Sequence, residues 1–533
     1  MSNADISPAA AVRELSRHSP ERVAIIYEGR STSYRELGDA VERLAGVLAD
    51  GGVGRCDRVV YLGHNSPTFL TTYLAASWLG AVFVPVNSRL VAEEVAHVLA
   101  DCAAHTLVVE PGHQALVDIA ATDNTDENAD VDAERVAEPA AQRRWLLVDD
   151  DPATPVVDDP GPRWTLLAAA LAVPRTVREP VPCREDDLAM LAYTSGTTGR
   201  AKGVMLTHGN LWWNGANLDA LAETFADDVN LVAAPLFHTA PLGCFTLRQL
   251  VRGGTSVIRR SFDPAQALAD LVEFRVTTFF AVPAMYSAIA RVSDFPTADL
   301  SALRCAAVAG APAGTRLITD YAERGVLLRQ AYGLTETLFA TFLPEDEVRT
   351  RIGSVGPALP FTQIRVREID TGREITEPGE CGEVCVRGPN VSPGYWNNSA
   401  GTATVMDGGW FRTGDVGHLD ADGRLHIVDR LKDMAIVGGD NVYPAEIERV
   451  LVDFPGVLEV AVVGAPNAFS GERMVALVTC QEGVAPRLPE VRAFAEPHLA
   501  RYKLPTRVVV VDSLPRNALG KIDKNAIRAS LAA

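Results

Sequence analysis

Positive charge is what this chain is short of: 49 Lys and Arg stand against 68 Asp and Glu, a formal net charge of −19 over 533 residues. General binding of nucleic acid or of an anionic membrane needs a basic surplus, so neither is expected as a partner. Any polyanionic ligand must be held by local donors working against the global field. Cysteine is also scarce, with eight scattered residues. Cys381 and Cys385 come nearest to a pair, but three residues separate them, not the two of a metal-binding C-x-x-C. No second cysteine pair or histidine cluster supports them, so neither a zinc site nor a disulfide framework is expected, which suits a reducing, cytoplasmic setting. Long apolar runs are missing as well. The longest, residues 74–86, holds Ser77, Gly80 and Pro85 and is too short to span a bilayer. The start, Met-Ser-Asn-Ala-Asp, lacks the basic stretch of a signal peptide, and no integral membrane segment is expected.

What is present is ordinary globular composition, 47% hydrophobic and 22% charged, at a length that suits more than one domain. Residues 33–50 space Leu37, Val41, Leu44, Ala45 and Leu48 along one face of a helix, and Arg58-Val59-Val60-Tyr61-Leu62 reads as a strand. Helix-like and strand-like segments alternate to about residue 330, which predicts α/β layers with largely parallel strands. Residues 363–386 then read as short strands between Asp-Thr-Gly and Glu-Pro-Gly-Glu turns, a β-rich subdomain. From Tyr443 the pattern changes again: a helix over 445–451 and strands over 457–463 and 474–479 make a small α+β domain, joined through residues 429–441. The acid-rich residues 122–138 and the proline-rich residues 152–162 read as a surface insertion.

The sharpest local signal is Tyr-Thr-Ser-Gly-Thr-Thr-Gly-Arg-Ala-Lys-Gly at 193–203, after an apolar strand candidate at 188–192. Gly196 and Gly199 permit close ligand approach, while Thr194, Ser195, Thr197 and Thr198 supply hydroxyls. Lys202 adds a point charge suited to phosphate oxygens, and backbone N–H groups in such a turn form an anion nest. It is not a Walker A loop, because the two glycines are too close and the lysine does not follow the second.

This string resembles the phosphate loop of the acyl-adenylate-forming (ANL) superfamily, which includes acyl-CoA synthetases, peptide-synthetase adenylation domains and luciferases. The resemblance runs from the helix start at Ser33 to Gly520-Lys521, with further motifs in the family's order and the acidic insertion as the main departure. It implies a large N-terminal domain, residues 1–431, of layered α/β subdomains plus the β-rich part, and a small mobile α+β C-terminal domain, residues 432–533. Pro-Leu-Phe-His ending at His238 resembles the motif whose histidine lies near the acid and adenylate, in an orienting or gating role. Gly310-Ala311-Pro312 and Tyr332-Gly333-Leu334-Thr335-Glu336 resemble the adenine-binding pair. Thr335 is then expected at the α-phosphate and Glu336 on Mg²⁺, a hard cation suited to carboxylate oxygen. Asp415, in Trp-Phe-Arg-Thr-Gly-Asp, is implied as acceptor for both ribose hydroxyls. Arg430 is implied at ribose and phosphate, and Lys432 at the interdomain hinge. Gly438 and Gly439 are implied in the thiol tunnel; the following Asp440 replaces the usual Glu, and Ala435 stands where a larger aliphatic is common. Lys521 matches the C-terminal catalytic lysine, bridging carboxylate and α-phosphate as charge builds on them.

The implied reaction is ATP-dependent activation of a fatty or aryl acid to acyl-AMP, then transfer to the CoA thiol. Alternatives are transfer to an acyl carrier protein or another acceptor, adenylation of another oxyanion such as nitrite, or an inactive nucleotide-binding protein. The acid pocket is expected among His238, residues 280–283 and Ala331. Related long-chain ligases have glycine where Ala331 stands, so its methyl favours a short, medium or aromatic acid.

Overall fold

The computed structural model describes residues 5–123, 144–149, 151–155, 157, 159–175, 179–194, 200–437, 440–467, 471–516 and 521–532. Ser195, Gly196, Thr197, Thr198 and Gly199 of the phosphate loop, Gly438 and Gly439, and most of the acidic insertion lie outside them.

Two large sheets carry the N-terminal part. The first has the strand order Leu338–Phe342, Leu328–Leu334, Cys305–Val308, Thr278–Ala281, Val229–Val232, Thr255–Ile258, Val23–Tyr27, Arg30–Ser33. It is parallel except for antiparallel pairs at both edges. The second runs Trp164–Leu166, Arg144–Leu147, Thr106–Val109, Arg58–Leu62, Val82–Val86, Leu188–Thr194, Lys202–Thr207 and is parallel up to its last pair. Parallel strands need covering on both faces, and their all-apolar sequences, such as Cys305–Val308, follow from that. One core cluster joins both sheets, with Ile25, Phe279 and Val308 of the first and Val59, Phe83 and Met190 of the second. The helix Tyr34–Asp50 in that core starts where the sequence predicts. Ser33 accepts from Glu36 N, and the Glu36 carboxylate reaches back to Ser33 N at 2.7 Å, a capping box that fixes the first turn.

A third, antiparallel sheet is built from Gln363–Arg367, Gly382–Arg387, Trp410–Leu419 and Leu425–Arg430 with short edge strands, the predicted β-rich subdomain. It packs against Tyr332 of the first sheet through Val384, Val386 and Leu425. Past the short helical turn Leu431–Asp433, a fourth sheet pairs Val457–Asn467 with Gly471–Cys480 and carries the helix Pro444–Leu451. The whole is a mixed α/β fold with a large N-terminal part and a small C-terminal α+β domain. At residues 122–138 the expectation needs one correction: Thr122 and Asp123 end the helix Gln114–Asp123. Among the described residues no helix is long and apolar enough to cross a membrane.

Candidate active site

Parallel strands deliver their loops to one edge of a sheet, and here the sequence motifs gather at such an edge. Cys305–Val308 and Leu328–Leu334 pair in parallel, Val308 opposite Gln330, so Gly310 and Tyr332 leave the same side. Gly310 takes φ +86°, a backbone state that suits glycine, and Gly310, Ala311 and Pro312 are exposed. Gly333 is required for a different reason: a Cβ there would lie 1.7 Å from the Leu338 carbonyl oxygen. The tight turn that this permits holds Leu338 at φ +51°, uncommon for a branched residue, and buries Glu336 at 8% exposure. Thr335 beside it is half-buried.

Asp415 and Arg430 lie opposite each other on paired strands of the third sheet, and Arg430 Nε stands 3.2 Å from Asp415 Oδ1. The Tyr332 hydroxyl donates to Asp415 Oδ2 at 2.7 Å. Tyr332 therefore orients the buried carboxylate by its edge. An ionised carboxylate has about four acceptor positions, so two donors leave room for ribose hydroxyls. Burial raises the Asp415 carboxyl above its ordinary value, opposed by the Arg430 charge and the Tyr332 hydrogen bond.

Glu336 is held by Tyr395, whose hydroxyl donates to Oε1 at 2.9 Å. Burial raises this carboxyl too, while the Tyr395 bond and the Arg430 charge pull it down. The Lys202 ammonium lies over the Tyr395 ring, 5.0 Å from its centre. Tyr395 thus ties the end of the phosphate-loop hairpin to the acid proposed for magnesium. Thr194 and Lys202 face each other across that hairpin.

Lys521 arrives from the C-terminal domain. It reaches solvent yet stands in a crowded cleft, where desolvation depresses its ammonium pKa, Arg430 and Lys432 depress it further, and Asp415 and Glu336 oppose them. His238 is half-buried in the same cleft. Desolvation, then the charges of Lys521 and Arg89, push its imidazole down to about 3, so it is neutral at physiological pH. A neutral imidazole there is chemically suited to orienting or gating. Lys432 is exposed in the turn Leu431–Asp433, whose Asp433 pairs with Arg528 at 2.9 Å.

Two family models match this chain: "AMP-binding enzyme" over residues 12–396 and "AMP-binding enzyme C-terminal domain" over residues 446–521. The chain belongs to the AMP-binding enzymes, the acyl-adenylate-forming superfamily. A feruloyl-CoA synthase from Amycolatopsis sp. is 41% identical over 513 residues, 96% of each chain. The indoleacetate–CoA ligase of Aromatoleum aromaticum is 39% identical over 524 residues, again 96% of each. Among solved structures, ATP-bound MatB from Rhodopseudomonas palustris aligns over 99% of both chains at 31% identity and TM-score 0.84.

Several of this AMP-binding enzyme's site residues escape the sequence reading. Tyr395 sits in a stretch without a charged signature and Arg89 belongs to no nucleotide motif, and only folding brings the first to Glu336 and the charge of the second to bear on His238. Around Phe280, where the sequence expects the acid pocket, the fold adds two further rings. Phe245, from the wide π-helical segment Ala240–Leu247 that follows His238, stacks on Phe280 at 5.3 Å, and Phe339 closes on both at 6.0 and 6.1 Å. Ala331 is buried in the neighbouring strand. Sequence spacing also misses one cluster, with no cysteine in it: His64, Glu110 and His113 come together after neighbouring strands of the second sheet.

Proposed function

We propose that this chain is an AMP-forming acid–thiol ligase for an aromatic carboxylic acid, with CoA as the acceptor. The observation that carries the reading is the convergence of Lys521, Asp415, Arg430 and Glu336 in one cleft beside His238. The packed Phe245, Phe280 and Phe339 rings support an aryl acid, since an aromatic wall beside His238 and Ala331 suits an arene. The feruloyl and indoleacetate substrates in the relatives' names point the same way.

A carboxylate is a poor electrophile because a thiol cannot expel oxide from it. Its oxygen attacks the α-phosphorus of ATP, the bond to the pyrophosphate oxygen breaks, and the resulting mixed anhydride has AMP as a workable leaving group. In this reading Thr194 and Lys202, with Ser195 to Gly199, hold the β- and γ-phosphates. Gly310 to Pro312 and Tyr332 to Gly333 form the adenine site, and Asp415 with Arg430 holds the ribose. Thr335 meets the α-phosphate. Glu336 would hold Mg²⁺, and its buried carboxylate fits a hard cation, which would screen phosphate charge. Lys521 offsets the negative charge that builds during in-line transfer, and His238 positions the acid. Residues 432–533 then turn about Lys432, withdraw Lys521 and bring Gly438 and Gly439 to the thiol, whose sulfur displaces AMP.

The test is a panel of hydroxycinnamic, arylacetic and fatty acids with ATP and Mg²⁺, read by pyrophosphate release and by CoA-dependent AMP formation. The reading expects the highest kcat/KM with aryl acids and AMP release that needs CoA. A best rate beyond C14 overturns the substrate class. Pyrophosphate release without CoA turnover moves the acceptor to a carrier protein.

A further inference from the structure

The geometry points to a binding site for a divalent transition-metal ion of the zinc class at His64, Glu110 and His113. Among the described residues this is the one group whose three ligand atoms, from His, Cys, Asp or Glu, all lie within 4.8 Å of one another. Two neighbouring parallel strands build it. Leu62 pairs with Val109, so the turns that follow deliver His64 and Glu110 side by side. Gly63 makes the room: a Cβ there would lie 2.6 Å from the Glu110 Cδ. The short turn Pro111–His113 then brings the second imidazole round, its ring centre 5.3 Å from that of His64.

His113 carries the argument. Its Nε2 lies 3.2 Å from the Ser88 carbonyl oxygen, which can only accept, so Nε2 bears the proton and Nδ1 a lone pair. That Nδ1 is buried and has no hydrogen-bond partner, in a residue only 9% exposed. A neutral imidazole whose N–H is spent on a backbone carbonyl is prepared to give its other nitrogen to a metal. Within the trio, His64 Nδ1 is 3.3 Å from Glu110 Oε2.

Charge balance adds an independent reason. Glu110 and Asp151, at 0% and 7% exposure, share one guanidinium: Arg260 bonds Glu110 Oε2 at 2.5 Å and approaches Asp151 at 3.6 Å. Arg260 is the one permanent cation facing these two buried carboxylates, so a second positive charge on the His64 side balances them, and a bound ion supplies it where His64 stays neutral. Arg260 also stands 3.3 Å from His64 Nδ1, where an ion would sit. Arg260 donates to both Glu110 oxygens, so metal binding would require its guanidinium to shift toward Asp151, which the Tyr27 hydroxyl already orients at 3.0 Å. Two imidazoles and a carboxylate select a borderline ion such as Zn²⁺ or Co²⁺ over Mg²⁺.

The test uses untagged, full-length protein freed of metal by a chelator and titrated with Co²⁺ in the absence of ATP. The expected result is one tightly bound equivalent with the visible absorption of a nitrogen-ligated cobalt ion, and an anomalous-scattering peak between the three side chains. His113→Ala should abolish it. His64→Gln, at a partly exposed position that tolerates the change, should weaken binding at least tenfold while the circular dichroism stays that of the parent. Cobalt binding that is unchanged in both variants, or no bound equivalent, overturns the proposal. So does an NMR titration in which His64 simply takes up a proton with no response to Zn²⁺, because the extra charge is then balanced without a metal.

Discussion

Tyr395→Phe is the most informative single change at the adenylate site. It deletes one oxygen, the donor to Glu336 Oε1 at 2.9 Å, and leaves the ring under Lys202 in place. Both residues are 8% exposed, so water does not replace the lost donor. A hydrogen bond to a charged group contributes roughly 1.5–3 kcal/mol. At about 1.4 kcal/mol per factor of ten, kcat/KM for adenylation should fall roughly 10- to 150-fold. The sign of the pH effect follows from the same bond. Burial already raises the Glu336 carboxyl, and the Tyr395 bond is among the forces holding it down. Without that bond the carboxyl is protonated at a higher pH. Only the ionised form can hold a cation, so the loss should be worse in mild acid and partly recovered in mild base or excess Mg²⁺. The assay is ATP–pyrophosphate exchange across pH and Mg²⁺ concentration, beside thiolysis of supplied acyl-adenylate. A variant with the parent's exchange rate throughout, or one equally impaired in thiolysis, would refute the assignment of Tyr395 and Glu336 to the first half-reaction.

Lys521→Ala should abolish pyrophosphate release but spare thiolysis of supplied acyl-adenylate, and Lys432→Pro should do the reverse; equal damage to both steps in both variants would sink domain rotation. Because the cleft lowers the Lys521 ammonium pKa, adenylation should decline as pH rises through a value below that of free lysine, and Lys521→Arg should remove this limb from the pH–rate profile. Gly333→Ala should cost adenylation and stability together, since the added Cβ meets backbone at 1.7 Å, as read by activity and thermal melting. Phe280→Ala should destabilise by about 3–5 kcal/mol and move the preferred acid toward longer chains, measured by denaturant unfolding and a chain-length series. A shorter preference would place Phe280 outside the pocket.

Local chemistry made much of this legible. The strand Arg58–Leu62 is found to the residue, because a β-branched run after a glycine-rich turn has few other uses. The helix predicted at 445–451 begins at Pro444, a residue pre-set for a first helical turn. The strand predicted at 188–192 continues to Thr194 because Lys202–Thr207 folds back on it. That pairing is tertiary information, and it is why Lys202 reads as a loop residue in the sequence but opens a strand in the fold. Tyr395 was invisible for a related reason: an aromatic residue in a polar stretch carries no sign of the carboxylate it will meet 59 positions away.

By itself the sequence determined the α/β class, the order of the nucleotide motifs and the deficit of positive charge, all written in spacing and residue type along the chain. Only the tertiary structure decided which carboxylates are buried, which donors hold them, that three phenylalanine rings pack together, and that His64, Glu110 and His113 meet. Those facts depend on strand register and on the packing of segments far apart in the chain. Hydrogen bonds and desolvation act across space, and spacing along the polypeptide does not encode them.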